Sequence, residues 1–169
     1  MPASPLSSTW VTATHDSPLG TIWLAASAHG LTGLWFEDQR HRPAHFAQWR
    51  PAPAHPILTQ ARRQLDAYFA GTPTLFDLPL DLSAGTAFQT RVWQALRAIP
   101  AGVTQSYGAL AERIGAPRAV RAVGAAVGRN PVSIVVPCHR VIGASGALTG
   151  YAGGLARKKS LLRLEGALA

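Results

Sequence analysis

Cysteine is almost missing from this chain: Cys138 is the only one in 169 residues. A single thiol excludes an internal disulfide and any zinc site built on cysteines, and it suits a reducing compartment. Long apolar runs are missing as well. The longest fall far short of the ~20 residues that a membrane helix needs. Residues 1–9 are Pro/Ser-rich and have neither the basic start nor the apolar core of a secretory leader. From these absences we expect a cytoplasmic protein with no membrane partner. Metal-binding spacings are also wanting. His15, His29, His41, His45 and His55 are scattered, and Pro43 interrupts the helix that would aim His41 and His45 at one ion. No metal and no cofactor are expected.

Acidic residues are scarce in one half only. Residues 1–84 carry five Lys/Arg against six Asp/Glu, a net charge of −1; residues 85–169 carry eleven Lys/Arg against Glu112 and Glu165 alone, a net charge of +9. A basic half beside a neutral one fits a polyanionic partner, although a merely soluble basic surface fits the charge equally well.

What is present, 47% apolar and 14% charged residues, describes a folded globular chain. Its organisation is α+β. Residues 10–15, 21–26 and 31–36 read as two or three antiparallel strands, with a turn at Ser17-Pro18-Leu19-Gly20. The proline-rich residues 40–56 read as an irregular connection. A helix over 57–70 follows, with Ile57, Ala61, Leu65, Tyr68 and Phe69 on one face and Gly71 at its end. Residues 74–82 suit a strand or an extended linker. The pattern places a boundary near Ser83-Ala84-Gly85, giving an N-terminal lobe over 1–84 and a C-terminal domain over 85–169.

The second half reads as helices. Thr86 caps one that runs to about Ile99, with Phe88, Val92, Trp93, Leu96 and Ile99 buried. Ser106 caps a second over 107–114, stopped by Gly115, and Pro117 opens a third over 118–128. The tight connection makes the last two a helix-turn-helix candidate. The third helix carries small residues, Ala119, Ala122, Gly124, Ala125 and Ala126. They permit close approach either to a nucleic acid or to a neighbouring helix, and Arg118, Arg121 and Arg129 add charge.

Residues 132–136 are β-branched and apolar, the composition of a short buried strand. They lead into Pro137-Cys138-His139-Arg140-Val141. A lone cysteine is usually an inert core residue. One that precedes a histidine and an arginine has cationic neighbours that would favour a thiolate and bring its pKa from about 8.5 toward neutrality. A simple Cys-His dyad is awkward in an extended segment, because adjacent side chains point to opposite sides. A turn of the backbone or a bridging water would be required.

The run Ile134-Val135-Val136-Pro137-Cys138-His139-Arg140-Val141-Ile142 resembles the active-site signature of the O6-alkylguanine-DNA alkyltransferases, the methylated-DNA–protein-cysteine methyltransferases. The likeness extends through Phe88 to Trp93, Ser106 to Ala111, Arg121 to Gly124, Asn130-Pro131, Tyr151 to Gly154 and Leu161 to Glu165, in the family's order and spacing. It covers essentially all of residues 85–166. The first half resembles the family loosely, through Asp16 to Gly20 and Leu65, Tyr68 and Phe69, and the chain is most like the short bacterial forms that lack a fused regulatory domain.

The resemblance implies a ribonuclease H-like N-terminal lobe that acts as a scaffold and a C-terminal helix-turn-helix domain. It also implies direct reversal of DNA damage. The alkyl group of O6-alkylguanine, with O4-alkylthymine as a second candidate, passes irreversibly to Cys138 in one turnover on a flipped base. By the same likeness His139, through a water, and Glu165 help deprotonate the thiol, and Asn130 holds the turn before it. Tyr107 crowds the target phosphate and donates to the departing guanine. Val141, Tyr151 and Ala152 complete the pocket beside main-chain groups of Cys138. Ser106, Tyr107, Ala119, Arg121, Ala122 and Gly124 face double-stranded DNA, in the minor groove and largely without sequence preference, and Arg121 fills the vacated stack. The implied protein is a monomer, with cooperative assembly on DNA left open. Ser133 and Ala152 stand where some relatives carry proline and serine, which bears on substrate range.

Three rivals stand beside this reading. Alkyltransferase-like lesion sensors carry another residue, commonly tryptophan, in place of Cys138. A helix-turn-helix regulator needs no Pro-Cys-His-Arg segment. A cysteine hydrolase would turn over repeatedly and needs an oxyanion hole.

Overall fold

The computed structural model describes residues 10–44, 46–72 and 75–169. The Pro/Ser-rich residues 1–9, His45 and Thr74, which figure in the expectations above, lie outside the described residues. The chain divides into two compact units, Met1–Leu82 and Ser83–Ala169.

In the first unit, strands β1 (Val11–Ser17), β2 (Gly20–Ala26) and β3 (Leu31–Phe36) pair antiparallel. The β1–β2 turn is held by Ser17, whose hydroxyl donates to the Gly20 carbonyl (2.7 Å) and accepts from the Leu19 N–H (3.2 Å). All six residues of β3 are buried, so that strand reads as an apolar run and not as an alternation. A fourth strand, β4 (Arg50–Pro51), pairs parallel with β1, and the sheet order is β3-β2-β1-β4. The sheet thus exceeds the two or three strands expected. Two residues, one a proline, leave no periodic signal inside a proline-rich connection. Helix α1 (Pro56–Phe69) lies against β1, β2 and β3 through Leu58, Ala61, Leu65 and Tyr68, so the buried stripe uses Leu58 where Ile57 was expected. The 74–82 region contributes a single parallel bridge of Leu80 to Leu31, flanked by Leu31 N–H to Pro79 O (2.8 Å) and Asp81 N–H to Leu31 O (2.9 Å).

In the second unit, α2 (Ala87–Arg97) begins with a reciprocal cap. The Thr86 hydroxyl accepts from the Gln89 N–H (3.1 Å), and the Gln89 side chain accepts from the Thr86 N–H (3.0 Å). It ends two residues before Ile99, since the residue ahead of Pro100 avoids the helical region. Helix α3 (Tyr107–Arg113) is capped by Ser106, whose Oγ accepts from the Ala109 N–H at 3.0 Å. Gly115, at φ +75°, closes its C-terminus with the Ala116 N–H bonded back to Ala111 O (2.9 Å).

Helix α4 (Val120–Gly128) starts later than residue 118 because a turn closed by Ala119 N–H to Ala116 O (2.9 Å) occupies Pro117 and Arg118. Helices α3 and α4 pack as a helix-turn-helix pair, and α2 backs α4. There the buried Trp93 indole N–H donates to Ala126 O at 2.8 Å. Three further elements had no visible signal. Strands β5 (Gln105–Ser106) and β6 (Val141–Ile142) form a parallel pair, and α5 (Leu155–Leu164) follows.

Residues 132–136 are not the strand that their composition suggested. They form successive turns, with Val135 N–H on Ser133 O (2.8 Å), Val136 N–H on Val132 O (2.9 Å) and Ile134 at φ +72°. Val and Ile side chains satisfy a buried turn as readily as a buried strand, so composition could not separate the two.

Trp93 joins α2 to the helix-turn-helix. We expect Trp93→Phe, which removes the indole donor and leaves a small void, to lower unfolding stability in urea by about 1–3 kcal/mol.

Candidate active site

The segment that presents Cys138 is shaped by Asn130. This buried side chain accepts from the Val132 N–H (3.0 Å) and donates to Val136 O (2.7 Å), clamping both ends of the turn series. Val136 O also receives the Cys138 N–H (2.8 Å). After Pro137 the chain enters a short 3-10 turn, Cys138–Arg140. The β5–β6 pairing sets Gln105 and Ser106 opposite Val141 and Ile142, and so brings the start of α3, with Tyr107, beside the cysteine segment. Cys138 is 6% exposed and His139 wholly buried.

Glu165 gathers the neighbouring charges. It is the C-cap of α5, locked by Gly166 at φ +80° and by Ala167 N–H to Leu162 O (2.8 Å). A carboxylate at a helix C-terminus meets the negative end of the helix dipole. Here Arg140 neutralises it with a bidentate contact, Nε to Oε1 and Nη2 to Oε2, both 2.8 Å. Arg140 Nη1 also reaches Ile99 O at 2.5 Å. His139 Nε2 lies 2.9 Å from the same Oε2. Burial by itself would raise the Glu165 pKa, but the hydrogen bonds from Arg140 and His139, with the charge of Arg140, outweigh it and bring it to about 2. Burial lowers the His139 pKa against the pull of Glu165, so the imidazole is neutral at pH 7. Next to a firm carboxylate, we assign the ring hydrogen to Nε2. That leaves Nδ1 a bare acceptor, and among the described residues it has no hydrogen-bond partner.

These facts correct the expectation of a thiolate preformed by cationic neighbours. His139 carries no charge, and Arg140 is engaged by Glu165. Burial raises the Cys138 pKa, opposed by a hydrogen bond from Asn130 and by the charge of Lys158. The resting group is a thiol. Tyr107 donates to Thr149 O at 3.2 Å. Burial raises its pKa and raises that of Tyr151 further, so both phenols remain protonated donors at neutral pH.

The other expected positions fall into two sets. Val141 is buried, and Tyr151 and Ala152 are half-buried, in the strand and loop that follow Cys138. Arg121 and Ala122 are exposed on α4, and Ala119 is its half-exposed N-cap. Gly124 is half-buried, and a β-carbon there would sit 3.8 Å from the Tyr107 ring. The Ser106 hydroxyl is occupied by its capping bond.

Two residues escaped the sequence reading. Arg140, expected beside the thiol, is the partner of Glu165. Lys158 was not singled out, yet it is fully buried. The available signal was its place on an apolar stripe with Leu161 and Leu162. Among the described residues no group of three or more His, Cys, Asp or Glu could hold a metal ion, and no helix is long and apolar enough to cross a membrane.

A helix-turn-helix unit holding a buried cysteine beside a neutral histidine and an ion-paired glutamate matches a known family. Residues 87–167 match the family described as 6-O-methylguanine DNA methyltransferase, DNA binding domain, and residues 10–82 match 6-O-methylguanine DNA methyltransferase, ribonuclease-like domain. The chain belongs to the 6-O-methylguanine DNA methyltransferase family. It is similar to the methylated-DNA–protein-cysteine methyltransferase of Mycobacterium tuberculosis, 55% identical over 90% of each chain. The protein of the same name from Methanosarcina acetivorans is 48% identical over 89% of this chain and 95% of that one. Among solved structures, the crystal structure of Mycobacterium tuberculosis OGT in complex with DNA superposes with a TM-score of 0.82 at 52% identity, covering 94% of this chain and 92% of that one.

The ion-paired carboxylate makes an acid-sensitive contribution to stability. The Glu165 pKa of about 2 lies below its ordinary 4.5. Its contribution is therefore complete above 4.5 and is lost as pH falls toward 2. We expect Glu165→Gln to destabilise the protein by about 3 kcal/mol at pH 7. In denaturant titrations the gap from the wild type should close between those two pH values; a gap that persists at pH 2 would contradict the ion pair.

Proposed function

We propose that this chain reverses DNA alkylation by moving the alkyl group of O6-alkylguanine onto Cys138, once per molecule. The observation that carries the reading is the arrangement of Cys138 next to a neutral His139 whose Nε2–H is fixed on the Glu165 carboxylate. That orientation leaves Nδ1 as the base. The thiol proton passes to Nδ1 through a bridging water as sulfur attacks the alkyl carbon. The S–C bond forms and the O6–C bond breaks. Glu165 stabilises the resulting imidazolium, while Arg140 keeps that carboxylate ionised, and the purine leaves as an O6 anion. Tyr107, a protonated phenol, donates to that anion; the proton released by the thiol restores the balance, so the products are guanine and an S-alkyl cysteine. The thioether is not reversed, which makes the protein both catalyst and consumed reagent.

Duplex DNA is the partner. Helix α4 offers exposed Ala122 and Ala125 with Arg118, Arg121 and Arg129 around them, a surface that enters the minor groove closely and reads little sequence there. Phosphate contacts dominate, so binding weakens as salt rises. Arg121 takes the place of the extruded base, which offsets part of the few kcal/mol that extrusion costs. Asn130 holds the turn that aims the sulfur, while Val141, Tyr151 and Ala152 line the base pocket. Every one of these residues lies in Ser83–Ala169 of a single chain, and the protein acts as a monomer.

Incubation with duplex DNA containing O6-methylguanine should add a single methyl per molecule by intact mass, mapped to Cys138 and absent in Cys138→Ala. Repeated turnover, or methyl on another residue, would refute the proposal. Arg121→Ala should slow repair in duplex DNA by about tenfold, a loss of ~1.4 kcal/mol, while reaction with free O6-benzylguanine stays near the wild-type rate. Equal losses on both substrates would remove Arg121 from base extrusion.

A further inference from the structure

Lys158 is the least expected residue in the second unit. It is 0% exposed, although its sequence neighbour Lys159 is exposed. Its ammonium donates to three main-chain carbonyls, Val141 O at 2.6 Å, Thr149 O at 2.9 Å and Gly150 O at 3.2 Å. These use all three N–H groups. Among the described residues no carboxylate forms an ion pair with it, whereas the nearby Glu165 is shared by Arg140 and His139. A buried cation satisfied by neutral carbonyls alone is costly. A methionine or leucine would fill the same position on the stripe without that cost.

The three carbonyls are informative. Val141 lies three residues beyond Cys138. Thr149 O also accepts the Tyr107 hydroxyl, and Gly150 precedes Tyr151. One ammonium therefore ties together the segment after the cysteine, the loop before Tyr151 and, through a shared acceptor, the first residue of α3.

We propose that Lys158 is a positioning residue of the alkyl-acceptor site: its ammonium clamps the Val141 carbonyl to the 149–150 segment and supplies the positive charge that offsets the Cys138 thiolate as it forms. The inference rests on the alkyl-transfer reading above and adds to it a cation that is in place before the thiol proton reaches His139.

The groups facing the pair agree. Tyr107 from α3 and Tyr151 from the loop are neutral phenols. His139 is neutral, Arg140 and Glu165 cancel one another, and Arg157 acts on Tyr151. Lys158 is thus the cation that can act on the sulfur before the thiol proton moves. Burial lowers its pKa to about 8, and a thiolate at Cys138 pulls it back upward. Lys158 in turn lowers the pKa of Cys138. Such coupling is reciprocal by linkage.

The test needs no DNA, so it stands apart from the transfer reaction. Native full-length protein and Lys158→Met are alkylated with iodoacetamide between pH 6 and 10, and Cys138 modification is followed by intact mass, with circular dichroism to confirm the fold. Lys158→Met should react roughly tenfold more slowly at pH 7.5, the equivalent of a one-unit upward displacement of the profile. Superimposable profiles in a folded variant would overturn the proposal.

A second measurement covers a variant that fails to fold. Lys158 and Lys159 are the only lysines in the chain, so 13Cε-lysine spectra of the wild type contain two signals, assigned with Lys159→Arg. Cys138→Asp, which puts a carboxylate in place of the neutral thiol, should raise the Lys158 titration midpoint and leave that of Lys159 unchanged. A Lys158 midpoint indifferent to that anion would overturn it as well.

Discussion

The buried carboxylate of Glu165 is the contact on which the reactive centre depends. A guanidinium and an imidazole meet at its two oxygens, inside a unit that holds a single other acidic residue, Glu112. With so few acids available, the partner of Arg140 and the orienter of His139 have to be the same group. The consequence is chemical. A carboxylate that stays ionised fixes the ring hydrogen on Nε2, and that leaves Nδ1 a bare acceptor, the base of the proposed transfer. Arg140 keeps the carboxylate ionised but takes no part at the sulfur.

The backbone solves a separate problem. Adjacent side chains on a strand diverge, so a Cys-His pair in an extended segment would face opposite ways. The chain avoids this with tight turns clamped by Asn130 and a 3-10 turn from Cys138. Ile134 accepts a positive φ inside that series, a conformation that β-branched residues adopt only when surroundings impose it. The short β5–β6 pairing then brings α3 alongside. Local strain and two-residue strands are small features, yet they set which groups meet.

Much of the architecture was legible. Thr86 and Ser106 cap the helices they were expected to cap, Gly71 and Gly115 end theirs, and β1 to β3 follow the apolar runs. Those signals are local, since a capping hydroxyl or a left-handed glycine acts on residues three or four positions away. The strand expected over 132–136 failed because branched apolar composition reports burial and not backbone shape. β4, β5 and β6 left no trace because two residues cannot carry a period. Helix α5 was hidden by Lys158, a charge on a buried stripe. Burial also reversed the electrostatic expectation, holding Cys138 as a thiol and His139 neutral.

By itself the sequence determined the family, the α+β organisation, the concentration of positive charge in the second half and the identity of the one possible alkyl acceptor. All of these follow from residue type, spacing and composition, which are properties of the chain before it folds. Only the tertiary structure decided which cation acts on which anion and which protons are held. Those depend on distance and dielectric, and residues as far apart in sequence as Arg140 and Glu165, or Val141 and Lys158, acquire both only when α5 packs onto the turn that carries Cys138.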